Sequence, residues 1–592
     1  MRSCNDIMRG RMWLVAGILV AFFAYLAIQL YRVQIIQHKD LQDQAWKKYT
    51  FPKKISGKRG EIFDSHGNLL VGNMPCQDVT ITPCNIKPED DQRIARLLAD
   101  ALNLDYDTVY KKVSDKTRQV KDSSGKIVER PRQYAMIARN IPLEKSRRLH
   151  DLLKKSGLAR NVHFHNGFIR YYPKGKLLAN ILGFSTVQED EIKALAGVEK
   201  FFDKELRSST ATNTYMRSRD GRQLGINPIL SEESKSGKNV YLTIVEPIQS
   251  ILEEELDAAV AEFRPRAVYA IMADPHTGKI MAMAQRPSFD PNERQSNDPS
   301  VYTTRVISDV FEPGSIMKPL TVAGALDYGV VRPSTRIDCE KGVWFYRNSR
   351  LTDTHNYGMQ DVTGVIRKSS NIGTAKIAIM MGEQRLYRTL RKFGLGSRSG
   401  LPLTPESRGL FRSPDKWDGL SISRFGMGYG VAITPVQMLR AYCALAARGK
   451  LPTLRLLDRI VDPETGAEEE PKVEPPRQIY SNPATGDQIV NMMVTVTETG
   501  GTATRAAIPG YRVAGKTGTA RKIENGHYVT KYFASFVGFV PAEKPAFVLL
   551  ITFDEPHGSI YGGTVAGPVW RRISERTLKY LNIAPSVMKS GK

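Results

Sequence analysis

The fold class that this sequence predicts is α/β (α+β): a domain with one mostly antiparallel sheet between helical layers, preceded by a smaller α+β segment and one transmembrane helix. Strand patterns cluster at the start and at the end of the second half of the chain, and helical patterns fill the interval between them. An uncharged apolar run stands near the N-terminus. The chain has 592 residues, too many for one ordinary core, so two or three domains are expected.

The composition is that of a globular protein with a strongly basic surface. Lys and Arg together number 85 against 61 Asp and Glu, which gives a net charge of +24. Nucleic acid, an anionic membrane face or another anionic polymer would each suit such a surface. No basic helix or zinc-finger spacing favours nucleic acid, so we predict no nucleic-acid partner.

The five cysteines are scattered along the chain and form no C-x-x-C pair. This spacing predicts no metal site. A disulfide between Cys76 and Cys84 would need an oxidising compartment, and the sequence leaves open whether these two residues pair.

The run Met12–Tyr31 predicts a transmembrane anchor. It contains twenty residues and no charge, and at helical rise it spans roughly 30 Å, the thickness of a hydrocarbon core. A cleaved signal peptide is the alternative, but the run is long for one and no A-x-A site follows it. Basic residues both precede and follow the run, so charge alone does not decide its orientation. We expect residues 1–11 in the cytoplasm and everything after Tyr31 on the other side.

Between the anchor and the second half, residues 32–235 predict a non-catalytic domain with no catalytic spacing of side chains. A spacer or docking role is therefore expected. The predicted elements are a helix at Lys39–Tyr49, a strand, turn and strand at Arg59–Leu70, helices within residues 87–157 interrupted by a hairpin or exposed loop at Lys111–Gln133, and a short apolar strand at Asn180–Phe184.

Residues 236–585 predict the α/β domain. Its strands and helices follow from apolar runs bounded by turn residues. Strands are predicted at Val240–Ile244, Val268–Ala273, Lys279–Ala284, Arg512–Arg521, Tyr532–Val540 and Ala546–Phe553, with helices at Pro247–Phe263 and Pro568–Leu581 and a solvated loop at Val461–Pro476.

The segment Phe311–Pro319 has the layout of a serine nucleophile with a lysine base. Pro313-Gly314 is a turn signal, and an apolar run that predicts a buried helix follows. On a helix, Ser315 and Lys318 share one face, near the end where free N–H groups favour negative charge. A hydroxyl beside an amine is one arrangement that activates serine. Ser-x-x-Lys alone is weak, because it arises by chance in long chains.

A second short motif, Ser369 with Asn371, places a hydroxyl beside an amide between two helical patterns. Ser and Asn are also common helix caps, so a capping role alone is the alternative.

The third motif, Lys516-Thr517-Gly518-Thr519, lies on a predicted strand, where glycine marks close approach by a ligand or another backbone. Gly510–Thr517 also matches the phosphate-loop pattern literally. That pattern requires a helix after the lysine, whereas further strands are predicted here, so the phosphate loop is the less favoured alternative.

Taken in this order, Ser-x-x-Lys, Ser-x-Asn and Lys-Thr-Gly form the set typical of β-lactamases and penicillin-binding proteins. The chain resembles a class B penicillin-binding protein, a monofunctional peptidoglycan D,D-transpeptidase. The resemblance extends over most of the chain from Arg59 onward. It is carried by Arg59–Leu70, Arg170–Pro173 with Asn180–Phe184, Gly197–Asp203, Phe311–Pro319, Gly428–Gly430 with Thr434-Pro435, and Gly515–Ala520.

This resemblance implies a penicillin-binding transpeptidase domain after an elongated pedestal. It favours the septal (FtsI-type) branch, with an elongation-type enzyme as the alternative. Implied partners are stem peptides with a D-Ala-D-Ala donor and an amine acceptor, β-lactams as inhibitors, and the inner membrane, with the catalytic domain periplasmic. An FtsW-type glycan polymerase and other division proteins are further implied partners. No metal, nucleotide or other cofactor is implied.

The resemblance also assigns roles. Ser315 would attack the D-Ala-D-Ala carbonyl, and Lys318 would act as base once burial and the nearby charge of Lys516 lower its pKa. The remaining implied roles are an oxyanion site on the backbone N–H groups of Ser315 and Thr519, a proton relay through Ser369, a grip on the substrate amide by Asn371, and a carboxylate site at Thr517 and Thr519 beside Gly518 and Lys516.

Three other functions stay open from the sequence. A β-lactamase or D,D-carboxypeptidase would use the same site, although Glu383–Tyr387, the nearest match to a deacylating Glu motif, lacks the Asn. A membrane-anchored β-lactam sensor or a non-catalytic division scaffold is the second, and a phosphate-loop nucleotidase is the third.

Overall fold

The computed structural model describes residues 4–121, 125–188, 191–217, 223–224, 231, 233–293 and 298–585. The chain divides into two compact units. One combines Met1–Lys58 with Ser208–Ser236, and the other combines Arg59–Arg207 with Gly237–Lys592.

The first unit contains the predicted anchor. A helix runs over Cys4–Tyr31, continues through a π-helical turn at Arg32–Ile36, and is followed by a second helix at His38–Tyr49, as predicted. Ile7–Ile36 is long and apolar enough to cross a membrane, and it is not buried against the protein. It therefore fits a single-pass anchor. Beyond it, strand Thr50–Ser56 pairs antiparallel with Thr210–Arg217, which also pairs with Gln223–Leu224.

The second unit begins with a sheet of seven strands. Its order is Glu468–Glu469, Leu457–Val461, Asn239–Leu242, Ile62–Phe63, Leu69–Ile81 and Ala135–Pro142, and Val162–Tyr171 also pairs with Leu69–Ile81. Helices Asp91–Leu102, Tyr106–Ser114 and Leu143–Lys155 pack around a separate small core on this sheet.

Two local predictions in this region have opposite outcomes. The hairpin is confirmed, because Thr117–Lys121 pairs antiparallel with Ile127–Pro131. The strand at Asn180–Phe184 is wrong: Ala179–Leu182 is a buried helical turn. A five-residue apolar run is too short for its periodicity to separate strand from helix. The side chain of Asn180 donates from Nδ2 to the carbonyl oxygen of Val301 at 2.6 Å, which holds this turn in place.

A buried charge network holds together segments of the pedestal, the non-catalytic domain predicted at residues 32–235. Glu199 is fully buried and accepts hydrogen bonds from Arg59, at 2.8 Å, and from Arg170. Arg59 also pairs with Asp203 at 2.7 Å. Because buried charges are costly unless paired and hydrogen-bonded, each of these side chains depends on the others.

The α/β domain, residues 236–585, is built on a five-stranded antiparallel sheet. Its strands are β1 (Ala267–Ala273), β2 (Ile280–Arg286), β3 (Ala514–Glu524), β4 (His527–Val540) and β5 (Phe547–Asp554), in the order β2-β1-β5-β4-β3. Every residue of β1 and β5 is buried, which matches their continuous apolar sequences and requires cover on both faces. The predicted sheet between helical layers is therefore confirmed, and β3 lies at its edge.

Helices cover this sheet. They are α1 (Glu246–Phe263), α2 (Lys318–Asp327), α3 (Val362–Lys368), α4 (Asn371–Met381), α5 (Glu383–Lys392), α6 (Pro435–Ala446), α7 (Ala484–Val494) and α8 (Gly562–Tyr580). The predicted closing helix starts at Gly562 instead of Pro568. The start was misplaced because proline is favoured in the first turn of a helix. Here Pro568 lies inside the helix.

Candidate active site

Ser315 lies on a single 3₁₀ turn, Gly314–Met317, that leads directly into α2. The turn is held from one side by the backbone N–H of Gly314, which donates to the carbonyl oxygen of Gly428 at 3.0 Å. A Cβ on Gly428 would lie 2.2 Å from the carbonyl oxygen of Gly314, so only glycine fits there. Ser315 is partly exposed, whereas Lys318 is fully buried. Part of Ser315 is therefore accessible from solvent, whereas Lys318 is not.

Glu312 fixes the same turn from the other side. This buried carboxylate accepts hydrogen bonds from the backbone N–H of Gly430, at 2.6 Å, and from the Tyr528 hydroxyl, at 3.0 Å. Burial raises the pKa of Glu312. Glu312 therefore joins the serine turn to the loop after Gly428 and to β4. No sequence motif indicated this link.

The two lysines of the motifs meet at Ser369. Lys318 Nζ donates to the Ser369 carbonyl oxygen at 2.6 Å, to Asn371 Oδ1 at 2.8 Å and to Ser369 Oγ at 3.3 Å. Lys516 Nζ donates to Ser369 Oγ at 2.8 Å. Within the described part of the chain, hydrogen bonds from both amines therefore converge on the hydroxyl of Ser369 rather than on that of Ser315. The three motifs do form one cleft.

Burial perturbs both amines. It lowers the pKa of Lys318 to about 7, against an opposing effect of the Asp353 carboxylate. Burial also lowers the pKa of Lys516 far below its ordinary value, and the charge of Lys318 lowers it further. Two ammonium groups this close and this buried disfavour each other, so the pair readily holds a neutral amine at neutral pH.

Asp353 organises the Ser-x-Asn loop and was not indicated by the sequence. Its Oδ2 accepts from the Ser370 hydroxyl at 2.6 Å, and its Oδ1 accepts from the backbone N–H groups of Asn371 and of Ile372, the latter at 3.1 Å. Ser369 has φ +57°, a left-handed conformation that non-glycine residues rarely adopt. The carboxylate therefore stabilises a strained loop, and it lies in an irregular segment directly after the strand Ser349–Thr352 that has no motif of its own.

The capping alternative for this loop is partly right. Ser370 caps α4, since its Oγ accepts from the backbone N–H of Gly373 at 2.9 Å. Its neighbours Ser369 and Asn371 are the residues that contact Lys318. Asn371 Nδ2 donates to the Thr352 carbonyl oxygen at 2.8 Å, which leaves one of its two N–H groups available.

The Lys-Thr-Gly segment lies on β3, which among the described strands pairs with β4 alone and so presents one free edge to the cleft. A Cβ on Gly518 would lie 3.0 Å from Ile316 and 3.2 Å from the carbonyl oxygen of Pro313, so glycine permits the strand to pack against the serine turn. No helix starts at Lys516, because β4 follows β3 directly. The phosphate-loop alternative is therefore wrong.

Thr502 is a further residue of the cleft that the sequence did not indicate. Its Oγ1 lies 3.2 Å from Thr517 Oγ1, and Thr519 Oγ1 accepts from the backbone N–H of Gly562 at 3.2 Å. The loop before Thr502 is anchored by Lys368, whose Nζ donates to the Gly500 carbonyl oxygen at 2.9 Å. The hydroxyls along this edge thus have fixed positions.

Comparison with known proteins agrees with this geometry. Residues 268–575 match the penicillin binding protein transpeptidase domain, and residues 54–242 match the penicillin-binding protein dimerisation domain. The peptidoglycan D,D-transpeptidase FtsI of Escherichia coli K12 is 31% identical over 98% of this chain and 93% of its own length. The stage V sporulation protein D of Bacillus subtilis is 30% identical over 99% and 88%.

Solved structures show the same fold. Penicillin binding protein 2X of Streptococcus thermophilus superposes with a TM-score of 0.73 at 20% identity, covering 89% of this chain and 80% of that one. Penicillin binding protein 3 of Mycobacterium tuberculosis, complexed with aztreonam, gives 0.67 at 24% identity, covering 91% and 100%. The chain belongs to the penicillin-binding protein family of serine transpeptidases, as the motifs predicted.

Proposed function

We propose that this protein is a septal peptidoglycan D,D-transpeptidase that cross-links stem peptides through an acyl-enzyme on Ser315. The observation that carries the proposal is the convergence of the three motifs: the buried amines of Lys318 and Lys516 both donate hydrogen bonds to Ser369. The FtsI relative, similar over nearly the whole chain, supports the septal assignment.

In the first step, Ser315 Oγ attacks the carbonyl carbon between the two D-Ala residues of a donor stem. Neutral Lys318 accepts the hydroxyl proton, which its lowered pKa allows near neutral pH. The backbone N–H groups of Ser315 and Thr519 hold the oxyanion, and each such donor is typically worth about 10²–10³ in rate. The C–N bond then breaks, an ester forms on Ser315, and D-Ala leaves.

The leaving amine receives its proton through Ser369. Both lysines donate to Ser369 Oγ, so the hydroxyl hydrogen of Ser369 is free to point into the cleft. The second N–H of Asn371 Nδ2 holds the donor's peptide carbonyl. Thr517 and Thr519 bind the terminal carboxylate beside Lys516. In the second step an acceptor amine attacks the ester and forms the cross-link. A β-lactam replaces the donor and leaves a stable ester on Ser315.

The protein is anchored in the inner membrane by Met12–Tyr31, with a cytoplasmic N-terminus and a periplasmic catalytic domain. The length and exposure of the apolar helix support the membrane anchor. An FtsW-type glycan polymerase is the expected partner, contacted through the anchor and the pedestal, because cross-linking acts on glycan strands that a polymerase supplies.

The test combines chemistry with localisation. A fluorescent penicillin should label the full-length wild-type protein for many minutes and should not label Ser315→Ala, whereas rapid loss of the label would indicate a hydrolase. In cells depleted of the native protein, Ser315→Ala should fail to support septation. Support by that variant would instead indicate a scaffold. A fluorescent fusion should concentrate at division sites, and a lateral distribution would indicate an elongation role.

A further inference from the structure

A cavity adjoins the cleft. Its volume is about 330 Å³, within the size range of a ligand pocket. Three segments form its walls: the hairpin strands Val343–Tyr346 and Ser349–Thr352, the helix Ser421–Gly426 with the loop after it, and the outer ends of β3 and β4. Each wall continues from an element of the site already described.

This continuity is visible residue by residue. Leu351 precedes Thr352, whose carbonyl oxygen accepts from Asn371. Tyr429 follows Gly428, which contacts the serine turn. Arg521 follows Thr519 by two positions on β3, so the two share one face of the strand. The cavity is therefore an extension of the peptide-binding cleft, not a separate site.

The lining carries three guanidinium groups. Arg350, Arg424 and Arg521 line the cavity together with Tyr346, Tyr429 and Tyr528, and all three arginines are exposed to solvent. Among residues that the structure describes, none of the three forms an ion pair with a carboxylate. The nearby acid, Glu312, is buried and already engaged by Gly430 and Tyr528. The charge of Arg424 acts on this carboxylate, whereas the guanidinium groups of Arg350 and Arg521 stay without a carboxylate partner among the residues that the structure describes.

The direction of the bound peptide follows from the proposed function, on which this inference rests. With the terminal carboxylate at Thr517 and the attacked carbonyl near Thr519, the donor continues along β3 toward Arg521. Strand residues advance about 3.3 Å each, so Arg521 lies roughly 7 Å beyond Thr519. An extended peptide covers the same distance in two residues, which brings the residues before D-Ala-D-Ala level with the three arginines.

We propose that this cavity is a carboxylate subsite for the donor stem peptide, in which Arg350, Arg424 and Arg521 bind an anionic group carried by the second or third stem residue. Arginine is suited to this role because its planar guanidinium binds a carboxylate through two parallel hydrogen bonds. The carboxylate has two possible sources: the free α-carboxylate of a second residue linked through its side chain, and the second carboxylate of a diacidic third residue.

The experiment measures D-Ala release by the full-length protein in detergent, with three matched pentapeptide donors. One donor has both carboxylates free, one is amidated at residue two, and one is amidated at residue three. The variants are Arg521→Gln and Arg350→Gln. Arg336→Gln is the matched control, because it removes the same charge from an exposed residue that does not line the cavity.

For the wild-type protein we expect kcat/KM to fall about tenfold or more when the bound carboxylate is amidated, the scale of one charged hydrogen bond. The amidated donor that loses activity identifies which stem residue carries the bound carboxylate. In Arg521→Gln or Arg350→Gln the ratio of kcat/KM for the free-acid donor to kcat/KM for the amidated donor should fall toward one. Arg336→Gln should leave this ratio unchanged. A fluorescent penicillin whose side chain carries no charge should still label Ser315 in all variants, which shows that they fold.

Two results would overturn the subsite: equal use of the three donors by the wild-type protein, or equal slowing of acid and amide donors in Arg521→Gln. Failure of the proposed function looks different, because the wild-type protein would then release D-Ala from no donor and would take up no penicillin on Ser315.

Discussion

The rate at which a β-lactam acylates Ser315 should rise with pH and level off, with a midpoint near pH 7. Burial lowers the pKa of Lys318 from 10.5 to about 7, so about half of the molecules carry a neutral amine at pH 7. A lysine with the ordinary pKa would be neutral in roughly one molecule in 3,000 at that pH. Because only the neutral amine accepts the serine proton, burial supplies about a thousandfold more base.

The assay is the second-order rate constant for benzylpenicillin, whose own carboxylate stays ionised throughout, from about pH 5.5 to about pH 9. Below the midpoint the rate should fall by about tenfold for each pH unit, as expected for a single titrating base. Lys318→Arg is the matched control. It keeps a cation at the same position but cannot lose its proton in this range, so its acylation should be far slower and without the rising limb.

A rate that is constant across this range in the wild-type protein would refute the assignment of Lys318 as base. A rising limb centred near pH 10 would refute the argument that burial lowers its pKa. A limb with the same midpoint in Lys318→Arg would show that another group titrates, and the roles of the two lysines would then have to be reassigned.

Three further outcomes follow from single contacts. Asp353→Asn keeps the shape of the side chain but removes the charge that raises the pKa of the buried base, so the midpoint of the same pH profile should move to lower pH. Thr502→Ala removes a hydroxyl partner of the Lys-Thr-Gly strand and should raise KM for a peptide donor about fivefold, with recovery in Thr502→Ser. Glu199→Gln leaves two arginines buried with one carboxylate and should lower the urea-unfolding free energy by about 3–5 kcal/mol, whereas the exposed Glu144→Gln should cost under about 1 kcal/mol.

The parts of the site that the sequence predicted are those in which neighbouring residues act together. Ser315 and Lys318 are one helical turn apart, so their proximity follows from local geometry. The strands β1 and β5 were predicted because residues buried on both faces give an uninterrupted apolar run. In each case the sequence pattern and the structural feature that it predicts involve residues close together in the chain.

The parts that the sequence did not predict depend on contacts between distant segments. Asp353 acts on a loop that begins some sixteen residues later in the chain, and Glu312 reaches Gly430 and Tyr528. An aspartate in a loop or a glutamate before a Pro-Gly pair has many possible roles, and only the folded backbone selects one. The same holds for Asn180–Phe184, where the surrounding packing, rather than the five apolar residues, decides between helix and strand.

The chemistry of the cleft has a cost in stability that explains why so many polar groups surround it. Lys318 and Lys516 are both fully buried, and both have lowered pKa values. The folded protein therefore binds fewer protons than the unfolded chain between about pH 7 and pH 10.4, and its free energy of unfolding rises with pH in that window. The carbonyl oxygen of Ser369, the amide of Asn371 and the carboxylate of Asp353 offset part of this cost by accepting hydrogen bonds or adding negative charge. Replacing these groups would not make the fold more stable, because the two lysines would stay buried with fewer hydrogen-bond acceptors. The site is thus a destabilised arrangement held in place by its neighbours, and the same burial that weakens the fold makes Lys318 a base.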